Sequence, residues 1–110
     1  METKNWYAWI DTMPPKPHTL YVIGEILIDP LGVTPKLFIK EPQGINPSIL
    51  LLDLRLVPLT PLQGATSSPA AWIPCRFEKT LTPSEPRYSE VEVFFDGEKI
   101  AHIKEVPIVS

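Results

Sequence analysis

Apolar and polar residues alternate along the middle of this chain. From Ser48 to Val57, Leu50, Leu52, Leu54 and Leu56 occupy every second position, with Ile49, Leu51, Asp53, Arg55 and Val57 between them. A period of two lines one face of a strand, whereas a helix brings residues together at three- and four-residue spacing. Leucine is a good helix former, but Pro47 and Pro58 bracket a run of only ten residues. The pattern therefore predicts a strand with the even-numbered leucines inside. Thr19 to Asp29 alternates in the same way. Leu20, Val22, Gly24, Ile26 and Ile28 share one side, and Tyr21, Ile23, Glu25 and Leu27 the other. Both sides are largely apolar, so this strand is expected to be covered twice. Gly24 marks a bulge or a bend there.

Shorter runs complete the set. Pro35 to Glu41 predicts a strand, and so does Ala71 to Lys79. Pro74 inside the latter cannot donate to a ladder, which assigns that strand to a sheet edge or to a bulge. Asp96-Gly97, between Tyr88–Phe95 and Glu98–Val106, is a favoured tight-turn pair and predicts a hairpin. A two-residue loop sets Val93 opposite Ile100 and Val91 opposite His102. A three-residue loop sets Val91 opposite Ala101 and Glu90 opposite His102. The second brings a carboxylate beside the imidazole and is preferred. Turns are expected at Asp29-Pro30-Leu31-Gly32 and Glu41 to Pro47, with a mobile loop from Pro58 to Pro69.

Fourteen prolines in 110 residues separate these runs. Proline is excluded from helix interiors and restricts the residue before it to extended backbone. The expected fold is all-β, a small antiparallel sandwich of immunoglobulin-like or Greek-key type. It has six or seven short strands, with a barrel as the alternative. A single domain is expected over residues 1–110.

Composition narrows the function classes. Apolar residues make up 44% and charged residues 21%, the balance of a globular domain rather than a disordered one. The net charge of −3 is spread along the chain, without a basic stripe for nucleic acid or a polybasic cluster for lipid. Neither a basic-apolar leader nor a membrane-length apolar run is seen, and a soluble cytoplasmic protein is expected.

Catalytic chemistry finds little footing. Cys75 is the only cysteine and lies within a predicted strand, with Arg76 directed to the opposite face. It reads as a small buried hydrophobe rather than a nucleophile. His18 and His102 lack the close spacing of a metal motif. Asp53, Glu90 and Glu92 read as strand-face charges rather than a paired acid and base. There is no glycine-rich phosphate loop and no hydrolase elbow. No enzyme, cofactor or metal is expected.

The aromatic residues are the functional candidates: Trp6, Tyr7, Trp9 and Trp72. Exposed tryptophan anchors partners or stacks on sugars. Three rings at 6, 7 and 9 cannot all share one strand face. The competing structural role has Trp6 or Trp9 plugging one end of the core and Trp72 filling its middle. With the leucine stripe inside, Ile23, Leu27, Ile49, Leu51 and Phe94 face outward, and such a face calls for a cover. The expected function is a non-catalytic protein interaction module. Another protein or a second copy would dock through an apolar sheet face or an edge strand. A saccharide-binding domain is the alternative.

Overall fold

The computed structural model describes residues 1–15, 17–29, 32–59, 70–85 and 87–110. These form eight strands and no helix. In chain order they are β1 (Thr3–Asp11), β2 (Thr19–Ile28), β3 (Val33–Ile39), β4 (Ile49–Pro58), β5 (Ala71–Thr80), β6 (Glu90–Phe95), β7 (Glu98–Ile103) and β8 (Ile108–Val109). They build two four-stranded sheets, β5-β2-β1-β8 and β3-β4-β6-β7. The sheets pack face to face without closing into a barrel, so the fold is a β-sandwich.

The expected six or seven antiparallel strands become eight strands in two mixed sheets. The pairs β4–β6 and β1–β8 are parallel. The added strands are the aromatic N-terminal segment and the two-residue β8. The tail is held by Ile10 N donating to Pro107 O at 2.9 Å and Thr12 N donating to Val109 O at 2.8 Å. Of the expected turns and loops, Pro30, Leu31 and residues 60–69 lie outside the described residues.

The core comes from the alternation. Leu50, Leu52 and Leu54 are buried between the sheets, and Leu56 is half-buried against them. They meet Leu20, Val22, Ile26 and Ile28 of β2, Val91 and Val93 of β6, and Cys75 of β5. Burying each leucine contributes roughly 1.5–3 kcal/mol relative to leaving it in water. β5 is an edge strand, as Pro74 requires.

The hairpin follows neither expected register throughout. Asp96 (φ 54°) and Gly97 (φ 84°) form a two-residue turn with both dihedrals positive, pairing Phe95 with Glu98 and Phe94 with Lys99. A shift between Val93 and Phe94 then sets Val93 opposite Ala101 and Glu92 opposite His102. The irregularity keeps Val91, Val93 and Ile103 inside while the turn keeps its favoured length. Glu90 still reaches the imidazole diagonally, accepting from His102 Nε2 at 2.5 Å.

Candidate functional site

Gly24 and Asn5 decide where the N-terminal aromatics go. β1 pairs Lys4 with Glu25 but Tyr7 with Ile23, so Asn5 and Trp6 together oppose Gly24. This is a β-bulge in β1, opposite the glycine rather than at it, and β2 stays in one sheet. Asn5 supplies the left-handed residue (φ 57°), a region that asparagine tolerates better than most residues. Its side-chain amide donates to Glu25 Oε2 at 2.5 Å, pinning the bulge from outside.

The bulge resets the alternation, and the three N-terminal rings separate. Trp6 turns inward and lies directly over Gly24, where any Cβ would strike the indole. Its Nε1 donates to Thr3 Oγ1 at 2.9 Å, satisfying the ring's one polar atom. Ala8 and Ile10 follow it into the core. Tyr7 and Trp9 point away from the core, and Tyr7 is 53% exposed.

The outer face of β5-β2-β1 is therefore the aromatic side of the molecule. Register places Tyr21 beside Trp9 and Ile23 beside Tyr7, with Leu27 beside Trp72 further along. Trp9 stacks on Tyr21 with ring centres 5.2 Å apart and planes 23° apart. Tyr7 lies 5.7 Å from Trp9 at 39°. The Arg76 guanidinium covers the Tyr21 ring at 4.9 Å, and the Lys4 ammonium covers Trp72 at 4.1 Å. Such cation–π contacts contribute about 0.5–1 kcal/mol each at exposed sites.

Of the four candidates, Tyr7, Trp9 and Trp72 share one face, and Trp6 does not. Trp72 is neither in the middle of the core nor against the Tyr7–Trp9 pair. It sits at the far end of β5, because its partner Leu27 is an outward residue of β2. Tyr21 is absent from the candidate set, although its outward parity with Ile23 pointed to it. An antiparallel return from Asp11 to Thr19 sets it beside Trp9.

The opposite outer face, on β3-β4-β6-β7, is more charged. Glu92 lies between Lys99 Nζ at 3.2 Å and His102 Nε2 at 3.7 Å. The Arg55 guanidinium covers Phe38 at 4.6 Å. Exposed charge pairs of this kind contribute little to stability.

Of the sequence's chemical candidates, His102 meets Glu90 and Glu92 on the outer face of β6 and β7, while Cys75 in the core and His18, just before β2 of the other sheet, stay apart from them. Cys75 is 4% exposed, and burial pushes its thiol up to about 11, only partly offset by a backbone hydrogen bond from Gly24. Such a thiol is protonated at neutral pH and a poor nucleophile. No group of three or more His, Cys, Asp or Glu residues able to hold a metal gathers among the described residues. No helix is long and apolar enough to cross a membrane among those residues. Comparison of the chain with protein-family models, with curated proteins and with solved structures finds no match.

Proposed function

We propose that this protein is a non-catalytic interaction module whose docking face is the outer surface of β5-β2-β1, and that a second copy of the chain docks there. The observation that carries this reading is the engaged ring ladder. Tyr21 is covered by Trp9 on one side and by Arg76 on the other, while Trp9 stands between Tyr7 and Tyr21. Sugar stacking needs an open aromatic face. Here Trp9 and Tyr21 stack on each other, Arg76 lies over Tyr21 and Lys4 over Trp72, with half-buried Ile23 and Leu27 beside them. An amphipathic ridge of that kind suits a protein partner better than a saccharide.

The face carries little net charge. Lys4 and Arg76 stand among Glu25, Glu78 and, at the end of β1, Asp11, two positive against three negative, so a second copy meets only weak repulsion there. The sheet edges are less inviting. β5 carries Pro74, and β7 carries Glu98, Lys99 and His102, devices that discourage strand addition. A cytoplasmic setting suits the single unpaired cysteine.

Three strands spaced about 4.8 Å apart and rising about 3.3 Å per residue give a patch of about 33 by 14 Å. That is smaller than the roughly 800 Å² per partner of a standard interface, so the association is weak, in the micromolar range or above. Sedimentation equilibrium tests it. The wild-type chain should show a monomer–dimer equilibrium. A Tyr7→Ser/Trp9→Ser variant with an unchanged circular dichroism spectrum should associate about 30-fold more weakly, or not at all. A wild-type chain that stays monomeric up to near-millimolar concentration overturns the reading.

A further inference from the structure

A second feature lies at one end of the sandwich. Where β1 ends, β2 begins and the β5–β6 connector crosses, a cleft of about 650 Å³ opens beside β8. Its walls are apolar: Ile10, Pro17, Leu81, Pro83 and Ile108. Its volume falls within the range of small-molecule sites, which run about 300–1,000 Å³ and pair apolar walls with a few convergent polar groups.

Most of the polar groups at this cleft are already engaged. Thr12 Oγ1 donates to Val109 O at 3.1 Å. Glu85 Oε1 accepts from Thr82 N at 3.0 Å, and Glu85 Oε2 lies 3.0 Å from Lys79 Nζ. Burial works against the Glu85 charge, but Lys79 and Thr82 outweigh it and hold the carboxyl below its usual range. The acid at the rim is thus neutralised within the chain. Arg87 and His18 also line the cleft, and among the described residues neither has an ion-pair partner. Arg87 brings a permanent positive charge with a planar fork of donors, and His18 offers a ring N–H in either tautomer.

We infer that this cleft is a binding site for an apolar monoanion, a carboxylate with an aliphatic or aromatic body. Its head sits on Arg87 and His18, and its tail lies along Ile10, Leu81 and Ile108. The match is of charge and of surface: two donor side chains with no ion-pair partner among the described residues line an apolar trough whose one lining acid is paired. Because Ile108 belongs to β8, an occupant also secures the C-terminal tail against β1.

Decanoate is the probe, followed by amide NMR on the dilute chain, with decylamine as its charge-reversed control. Decanoate should shift the amides of Ile10, Thr12, His18, Leu81, Arg87 and Ile108 saturably, and decylamine should not. Arg87→Gln, an exposed substitution, should weaken decanoate by about tenfold or more while leaving the rest of the spectrum in place. Equal binding of the amine, an unchanged affinity in Arg87→Gln, or shifts confined to Tyr7, Trp9 and Tyr21 would each overturn the site. So would the absence of any response. None of these readouts depends on whether the chain dimerises.

Discussion

Replacing Gly24 by alanine tests the seat of Trp6. At an accommodating position this exchange raises stability by about 0.4–1 kcal/mol, because alanine restricts the unfolded chain. At Gly24 the new methyl falls inside the contact distance of three indole atoms of Trp6. The obstacle is a rigid ring packed on the core, not the end of a flexible side chain. Overpacking of this kind costs about 1–3 kcal/mol. The collision outweighs the entropic gain, so Gly24→Ala should destabilise by about 1–2 kcal/mol. For a domain near this size that lowers Tm by about 4 °C or more per kcal/mol. The control is the same change in a Trp6→Leu background, where the smaller side chain leaves room. There alanine should be neutral or stabilising, with a coupling of about 1–3 kcal/mol between the two sites. Urea unfolding followed by far-UV circular dichroism measures all four proteins without relying on indole fluorescence. If Gly24→Ala matches or exceeds the wild type, or loses the same amount in both backgrounds, the ring does not lie over the glycine as described.

Two further outcomes follow from Cys75. Its buried, proton-holding thiol should react with a thiol reagent at neutral pH only as fast as the chain unfolds, and at once in denaturant; rapid labelling of the folded protein would contradict this. The folded thiol titrates at about 11 against a usual 9.0, so the folded state holds its proton more tightly. The resulting stability is complete below pH 9.0 and lost as pH rises through about 11, at most about 3 kcal/mol, and Cys75→Ala should flatten that alkaline decline.

The fold was largely legible where one face of a strand had to be buried. The stripe from Leu50 to Leu54 is inside because period two leaves no other arrangement. Pro74 marked an edge because it lacks a donor. What the sequence did not display were features that depend on two strands at once. The β1 bulge needs Asn5 in a left-handed conformation and a glycine opposite it, 19 residues away in sequence. The irregularity near Ile100 reconciles a two-residue turn with the burial of Val93 and Ile103, a compromise no local pattern announces. β8 is two residues long, too short to show any period, and exists because β1 has an open edge. The same split applies to the site. That the N-terminal rings must part was legible from their spacing. Which ring went inside was set by the bulge.

Fluorine NMR of the chain labelled with fluorotryptophan, followed from micromolar to near-millimolar concentration, tests the docking face most directly. The three indoles report separately on the core and on the two ends of the outer surface. The Trp9 and Trp72 resonances should move with concentration and lose their response to a dissolved paramagnetic agent, while Trp6 stays fixed throughout. Three resonances that ignore concentration, or a Trp6 signal that moves while Trp9 does not, would contradict an interface on the outer face of β5-β2-β1.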